Sequence, residues 1–434
     1  MNRPPVTTTR PGLRYGPHAA AFTVGYVVFS YAAVPGEVMA AYDVGFTAVG
    51  LLMSAALGAF AVVQVAGGRL VDDRPTAGVL MGLVATHGAL ALVLDLAPSY
   101  GALLALRFLW GLAGGLTVTV GATQISRVFA GDRASRHEGF YGGALTLGGA
   151  VAFLLTPHVV GVTGWSGVHA VGGLLAVPVV MALWHDRAGS AADAATGPTL
   201  EPGTPAGDES TGRSTAGSGS PPAAESTSES ASREPSDADA SHGAGDGRAQ
   251  GSDPSPLTNR LVLLAAGCYV ATLGAYVTLS TFVTAFFDDL GVIAPLNAVA
   301  LFAASLGRVG GGFAIVRPGV NDGRLIAGAT AMGTAGLVGL AVADGVLLLV
   351  LPLLALAAVS LPFGAIFKTA AAATPRDGTA LALVVAAGNV AALVLPAVTG
   401  WIRDVTGGYE PAFVLLAGLN VLAIAAGIAI ARRG

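Results

Sequence analysis

Two arginines stand inside long apolar segments of the sequence, Arg107 and Arg308. If those segments cross a bilayer, each guanidinium must face a cavity, a ligand or a hydrogen-bonding partner, because an isolated charge in hydrocarbon is costly. We expect Arg308 to attract an anion, and Arg107 to couple protonation to movement through an acid such as Glu37. The alternative for either arginine is structural, with the guanidinium donating to backbone carbonyls of a broken or neighbouring helix.

The other reactive side chains form no catalytic pattern. The seven histidines are scattered, and the sequence contains neither an HExxH motif nor paired carboxylates inside an apolar segment. It has no GxxxxGK[ST] loop to cradle a nucleotide phosphate. The single cysteine, Cys268, excludes an intrachain disulfide and a cysteine metal site. We therefore expect no enzyme activity, no cofactor, no bound metal and no nucleic-acid partner.

Composition decides which elements hold the two arginines. Of the 434 residues, 53% are hydrophobic and 11% are charged, whereas soluble domains carry about 25% charged residues. Every backbone amide in a bilayer core must be paired internally, and apolar stretches of about 20 residues achieve this as helices. The composition predicts an all-α membrane protein.

Twelve apolar stretches are long enough to cross a bilayer, six on each side of a polar segment. The predicted spans are 18–37, 46–67, 76–96, 100–121, 139–160, 166–185, 260–284, 296–315, 325–343, 345–367, 379–399 and 409–431. The predicted domains are an N-terminal tail at 1–17, a six-helix bundle at 18–185, a linker at 186–259 and a second six-helix bundle at 260–431.

The linker is rich in Ser, Gly, Pro and acidic residues. Residues 186–253 hold 12 acidic and 4 basic residues, a net charge of −8, and the rest of the chain has a net charge of +4. Such a segment lacks the apolar area that would offset the entropy lost on ordering. We expect a disordered acidic segment that joins the two bundles.

Basic residues fall almost entirely on one side of the predicted spans. Counted near the span ends, the even-numbered connections and the two termini carry 16 Lys and Arg residues, while the odd-numbered connections carry only Arg403. Because basic residues accumulate at the cytoplasmic ends of spans, both termini and the linker are predicted to be cytoplasmic, with the protein in the cell membrane. Glu37 then lies at the outer end of the first span and is the candidate site for a coupled proton.

Glycine and arginine recur at matched places in the two halves. The segment GGRLVDDRP (67–75) follows the second span, and GRVGGGFAIVRPG (307–319) ends the eighth. Glycines let two backbones approach closely, and charged groups just past a helix end make different hydrogen bonds in two packings of the halves. The alternative is an ordinary turn with snorkelling arginines. The gating candidates in these segments are Gly68, Asp72, Arg74, Gly312 and Arg317.

Two further motifs point the same way. RFLWGLAGG spaces Arg107, Gly111 and Gly115 four residues apart, and GNVAALVLPAVTGWIRDVTGGYEPAF occupies 388–413. With these motifs the chain resembles the major facilitator superfamily of secondary transporters. The resemblance implies twelve transmembrane helices in two six-helix bundles related by pseudo-twofold symmetry, which move a small solute by alternating access. A monomer is expected.

Within this superfamily, LGRVGGG and the segment from Phe363 to Asn389 resemble the nitrate/nitrite and related anion porters, which hold the anion with one arginine from each half. Arg308 matches the second-half arginine, and no arginine stands at the first-half position near 62–64. The predicted substrate is therefore a small anion, inorganic or organic. The resemblance adds a set of polar residues expected to line the central cavity, each with the alternative role of hydrogen-bonding to a neighbouring helix. They are Tyr26, Tyr31, Gln64, Tyr141, Tyr276 and Asn389.

Other classes of function stay open at this point. A transporter-like sensor would use the linker as a signalling surface, and a membrane-embedded enzyme would need clustered catalytic groups that the sequence lacks. Substrate identity, direction of transport, and coupling to a proton or a sodium ion are also open.

Overall fold

The computed structural model describes residues 10–72, 75–129, 132–195, 257–292, 295–375 and 377–433, and the regular structure in these ranges is entirely helical. The α-helices are α1 (Pro11–Phe29), α2 (Pro35–Tyr42), α3 (Phe46–Asp72), α4 (Thr76–Leu94), α5 (Tyr100–Val128), α6 (Asp132–Thr163), α7 (Ala170–Ala195), α8 (Arg260–Asp289), α9 (Pro295–Ile315), α10 (Asp322–Val342), α11 (Leu347–Ser360), α12 (Phe363–Ala372), α13 (Asp377–Thr406) and α14 (Glu410–Ala431). Short 3₁₀ helices lie at Ser30–Ala33 and Gly164–Gly167.

The helices coincide with the twelve predicted spans. Ten helical stretches in the described ranges are long and apolar enough to cross a membrane, and α1 with α2 supplies an eleventh that is bent by 68°. The helix α7 occupies the place of the sixth predicted span, and α11 with α12 forms the tenth. The prediction of an all-α membrane architecture is confirmed.

The first span is broken in its second half. The helix α1 ends at Phe29, the chain turns through Ser30–Ala33, and Pro35 starts α2. Proline is suited to the first turn of a helix because the amide hydrogen it lacks would have no helical partner there. A helix end also leaves carbonyls of its last turn without helical partners. The carbonyls near Phe29 therefore need donors from elsewhere.

The helices form two bundles, α1–α7 and α8–α14. In the first bundle α1 packs against α6, and α5 packs against α3 and α4; in the second, α8 packs against α13 and α14, and α10 packs against α11 and α14. The bundles meet mainly where α3 packs against α13 and α6 packs against α9. Any ligand shared by both bundles must lie along this seam.

Two helix bounds differ from the predicted domain boundaries. The helix α1 begins at Pro11, within the tail predicted at 1–17, and α7 continues ten residues past the predicted bundle end at 185. Asp186, the first residue of the predicted linker, lies within α7 and is buried, and its Oδ2 accepts the backbone N–H of Gly12 at 2.6 Å and of Leu13 at 3.2 Å. This carboxylate caps the start of α1. Most of the predicted linker, residues 196–256, lies outside the described residues.

The two ends of the helical bundles are distinguished by the connections that they carry. The Asp404 end carries the α2–α3, α4–α5 and α13–α14 connections, and the Arg14 end carries the start of α1 and the α5–α6 and α9–α10 connections. At the Asp404 end, a Cβ on Gly400 of α13 would lie 2.2 Å from the carbonyl oxygen of Phe46 on α3. Only glycine permits this approach, so the bundles are in direct backbone contact there.

Candidate substrate site

Arg308 stands on α9 among aromatic rings. Its Cζ atom lies 4.5 Å from the ring centre of Tyr276 on α8 and 4.1 Å from that of Phe363 on α12, which are cation–π distances. The planes of the two rings meet at 82°, so the rings form a corner around the guanidinium. Arg308 is half-buried, and its Nε has no hydrogen-bond partner among the described residues.

This corner adjoins the seam between the bundles. Phe29, the last residue of α1, packs against Tyr276 with 6.1 Å between ring centres. The Tyr276 hydroxyl is buried and has no hydrogen-bond partner in the described ranges. A guanidinium and a hydroxyl with unused hydrogen-bonding capacity thus lie where the first bundle contacts the second.

A cavity of about 530 Å³ lies between α1, α6 and α9 on the Arg14 side. Its walls include Ser305 and Val309, the neighbours of Arg308 along α9, and the rings of Tyr15, His18 and His137. This volume is in the range of small-molecule sites, which hold about 300–1,000 Å³. Arg308 itself does not line this cavity, whose walls also include the exposed side chains of Phe140, Leu147, Phe302 and Leu306.

Arg107 has a different environment. It is fully buried on α5, and it donates from Nη1 to the Val27 carbonyl at 2.8 Å and from Nη2 to the Val28 carbonyl. Its Nε donates to the Leu52 carbonyl of α3 at 3.4 Å. The guanidinium thus supplies the donors that the break after Phe29 requires, and its positive charge suits a helix C-terminus. These contacts are those of the structural alternative, and its described hydrogen bonds go to backbone carbonyls rather than to Glu37.

The first-bundle tyrosines lie apart from Arg308. Tyr26 is buried, with its hydroxyl 3.4 Å from Thr156 Oγ1, and Tyr31 is buried and donates to the Val49 carbonyl at 3.2 Å. Tyr141 donates to the Val118 carbonyl at 2.7 Å. In this conformation the hydroxyls of Tyr26 and Tyr141 contact groups of their own bundle, whereas the Tyr31 hydroxyl also lies near Thr281 of α8. Of the predicted tyrosines, Tyr276 alone contacts Arg308.

The predicted glycines divide into two groups. A Cβ on Gly111 would lie 2.6 Å from the Ala56 carbonyl, and one on Gly115 would lie 2.9 Å from the Phe60 Cα. Both glycines therefore allow α5 to approach α3 closely. Gly312 has open space around it, and the close approach of α9 to α11 occurs instead at Gly307 and Gly311. Gly312 makes no such close approach in this conformation, and its role in gating stays a prediction.

The remaining predicted residues lie elsewhere. Glu37 is exposed in the first turn of α2, Arg317 is exposed in the turn after α9, and Asn389 is buried on α13. Gln64, Gly68 and Asp72 fall on the part of α3 whose side chains lie outside the described set, and Arg74 lies outside the described residues altogether. Among the residues described, no group of three His, Cys, Asp or Glu could hold a metal ion.

A buried carboxylate–imidazole pair in the first bundle was not predicted from the sequence. Asp95 Oδ1 lies 2.5 Å from His169 Nδ1, and Asp95 Oδ2 accepts the backbone N–H of His169 at 2.7 Å. Both side chains are at most 1% exposed. His169 lies in the turn before α7. No local sequence pattern could have indicated the pair, because Asp95 caps the start of α7, 74 residues further along the chain.

A contact that joins the bundles at the Asp404 end was also not predicted from the sequence. Asp404 of α13 accepts the backbone N–H groups of Phe46 and Thr47, both at 2.8 Å, and the Thr47 hydroxyl at 2.6 Å. The neighbouring Arg403 donates to Asp289 at 2.6 Å, and its Cζ lies 5.3 Å from the Phe46 ring centre. A carboxylate at the positive end of α3 is electrostatically favourable. This end of the seam is closed.

The fold and the site together define a class of protein. Two six-helix membrane bundles that meet around an arginine, closed at one end and with a cavity toward the other, have the architecture of a secondary transporter. A family model described as the Major Facilitator Superfamily matches residues 19–377. The chain belongs to this superfamily and is a multi-pass membrane transporter.

Solved structures support the fold. Two crystal structures of a bacterial homologue of the human lysosomal transporter Spinster, both inward-facing, align over 98% of this chain and 98% of their own. The unoccupied form gives a TM-score of 0.65 at 15% identity, and the occupied form gives 0.64 at 16% identity. No curated protein sequence matches the chain. These comparisons lend no support to the nitrate/nitrite branch in particular.

Proposed function

We propose that this transporter carries a small anion, inorganic or organic, and that Arg308 binds it at the seam between the bundles. The observation that carries the proposal is a half-buried guanidinium with an unpartnered Nε. A charged group in a membrane-spanning helix needs compensation, and an anionic ligand supplies it.

The surroundings of Arg308 favour an anion over a cation or a neutral solute. None of the ion pairs within the described ranges involves Arg308, so its charge is available to a ligand. The Tyr276 hydroxyl beside it is a further donor. The Phe363 and Phe29 rings add apolar surface, which suits the body of an organic anion better than a strongly hydrated polyanion.

The orientation follows from the sequence. We propose that the Arg14 end, where Lys and Arg residues concentrate, faces the cytoplasm of a cell membrane. The Asp404 end then faces outside, and the conformation described here is closed to the exterior. The cavity of about 530 Å³ lies on the cytoplasmic side of α9. The protein acts as a monomer in this proposal, and either a proton or a sodium ion serves as coupling ion.

Alternating access gives each contact at the seam a role. For the site to reach the exterior, the Asp404 hydrogen bonds to Phe46 and Thr47 must break. The bundles then rock around Arg308, as in other transporters built from two related halves. Phe29 and Tyr276, which touch across the seam, separate in the same movement.

The test is uptake by purified protein in sealed proteoliposomes, with a panel of radiolabelled small inorganic anions and organic monoanions. We expect uptake of at least one panel member, and a loss of about a hundredfold in Arg308→Ala, because a buried charge-assisted interaction is worth about 1.5–3 kcal/mol or more. Arg308→Lys retains the positive charge but lacks the planar guanidinium, so its uptake should lie between that of the parent and that of Arg308→Ala.

Arg324→Ala is the matched control, since Arg324 lies on α10 next to an exposed turn and away from the seam. It should transport like the parent protein. Equal uptake by Arg308→Ala and the parent, with equal protein inserted, would move the substrate site elsewhere. Transport of cations or neutral solutes alone would overturn the anion assignment.

A further inference from the structure

The buried pair His169–Asp95 has a hydrogen-bonding deficit that packing does not explain. Asp95 accepts three N–H groups, from the His169 backbone, the Ala170 backbone and His169 Nδ1. The other imidazole nitrogen, His169 Nε2, is buried and has no partner among the described residues. A capping role uses only the carboxylate and the Nδ1 side. The Nε2 lone pair is therefore left as an unused proton acceptor in the interior.

Charged and titratable groups from several helices lie around the His169–Asp95 pair. The hydrogen bond of Trp165 Nε1 to the Tyr42 hydroxyl, at 3.1 Å, closes the side toward α2. The groups that face or electrostatically influence the pair are Tyr26 of α1, Tyr31 of the 3₁₀ helix, Tyr42 of α2, Asp95 after α4 and Arg107 of α5. With neutral His169, the Asp95 and Arg107 charges balance. A proton on Nε2 would leave one uncompensated positive charge in a buried site, which is unfavourable while the site stays dry.

Tyr31 separates His169 from the seam between the bundles. Its ring stacks on the imidazole, with 6.4 Å between centres and 24° between planes. The segment Ser30–Ala33 that carries Tyr31 packs against α8 of the other bundle, and Thr281 of α8 lies close to the Tyr31 hydroxyl. If α8 moves away, water reaches Tyr31 first and His169 directly behind it.

We propose that His169 Nε2 is a proton-binding site that becomes accessible when the bundles separate at the Asp404 end. A proton from external water binds the Nε2 lone pair, the Asp95 carboxylate is the hydrogen-bond partner of the imidazolium, and hydration compensates the added charge. Because binding and opening are thermodynamically linked, acid on the outside stabilises the outward-open form. The inference rests on the orientation and the alternating access proposed above.

The sign follows from the two environments. Burial disfavours the imidazolium in the closed form, whereas the open form offers water and the Asp95 carboxylate. At a pH above the pKa that His169 has in the open form, the closed form is favoured over the open form to its full extent. This preference decreases as the pH falls, because the open form binds the proton more readily. An ordinary histidine titrates near pH 6.5, so the transition is expected between about pH 8 and pH 5.

Spin-label distances across the Asp404 end test this proposal. Ala41→Cys on α2 and Leu290→Cys after α8 place labels on exposed positions of opposite bundles, in a Cys268→Ala background that removes the only native thiol. We expect the long-distance population in liposomes to rise severalfold from pH 8 to pH 5, because the open form binds the proton more tightly than the closed form.

His169→Asn keeps a donor for Asp95 at the Nδ1 position but cannot take a proton at Nε2. The spin-label distances in this variant should therefore not respond to pH. His158→Asn is the matched control, because His158 is an exposed histidine on α6, and it should respond like the parent. Asp95→Asn gives a second measurement, in which the midpoint should move to lower pH because the imidazolium loses its counter-charge.

A full pH response in His169→Asn, an unmoved midpoint in Asp95→Asn, or no response in the parent would each overturn the proposal. Anion uptake by the same liposomes at pH 7 keeps the two ideas separate. Anion uptake without a pH response of the distances would overturn the proton site and support anion transport. A pH response without uptake of any panel anion would support the proton site and overturn anion transport.

Discussion

Arg107 and Arg308 are both arginines in membrane-spanning helices, and each places its Cζ over two aromatic rings. Arg107 contacts Tyr31 and Trp110 at 4.6 and 5.2 Å, and Arg308 contacts Tyr276 and Phe363 at 4.5 and 4.1 Å. Their hydrogen bonds separate them, since Arg107 donates to three backbone carbonyls whereas the Nε of Arg308 has no partner in the described structure. Aromatic contact is therefore common to both arginines, and the unused donor at the seam distinguishes Arg308 from Arg107.

The largest expected effect sharpens the structural half of this comparison. Arg107→Ala should lower the free energy of unfolding by about 3 kcal/mol or more, because each buried carbonyl left without a donor costs about 1–3 kcal/mol. Thermal unfolding in detergent measures the change. Arg308→Ala should unfold within a few degrees of the parent, since it removes no described hydrogen bond. Similar losses in both variants would break the distinction.

A smaller effect tests how Arg308 is held. A Cβ on Gly311 would lie 1.9 Å from the Leu361 carbonyl oxygen of the α11–α12 turn, whereas Gly312, the next residue, has open space. Gly311→Ala should cost about 1–3 kcal/mol by forcing α9 away from this turn, and it should also weaken anion uptake. Gly312→Ala is the matched control and should change stability by less than about 0.5 kcal/mol.

Unfolding temperature and uptake, measured together, decide this prediction. If Gly311→Ala and Gly312→Ala behave alike, packing against this turn does not position Arg308.

The smallest of the three effects concerns the end of the seam away from the cavity. Asp404→Ala removes the carboxylate that accepts from Phe46 N, Thr47 N and Thr47 Oγ1. We expect the separated population at this end to increase about tenfold, since a carboxylate at a helix N-terminus contributes about 1–2 kcal/mol at most. The spin labels on Ala41→Cys and Leu290→Cys report it. Asp344→Ala, at an exposed acid on the same end, should leave the distances unchanged.

The span pattern could be predicted because length and hydropathy are local properties of the sequence. The location of Arg308 within a membrane-spanning helix could be predicted for the same reason. A charge in such a helix has few possible roles. The neighbours of Arg308 could not be predicted, because Tyr276 and Phe363 reach it from other helices whose rotation one sequence does not determine. The break after Phe29 was not located from the sequence, although donation to the carbonyls of a broken helix was one of the two roles expected for Arg107.

The acids at the Asp404 end show the same limit. Asp95 and His169 are 74 residues apart, and Asp404 and Phe46 are 358 residues apart. Each carboxylate lies beside the N-terminus of another helix, a pairing that depends on the order of helices in the bundle. The short-range pattern near each acid carries no information about that order.

Anion-dependent thermal stability tests the central claim most directly. A ligand at about a hundred times its dissociation constant stabilises a protein by about 2.7 kcal/mol, so a transported anion should raise the unfolding temperature of the purified parent by several degrees. We predict that Arg308→Ala loses this shift and that Arg107→Lys retains it, although its starting stability is lower. An undiminished shift in Arg308→Ala, or a shift lost only in Arg107→Lys, would contradict the assignment of Arg308 as the anion-binding residue.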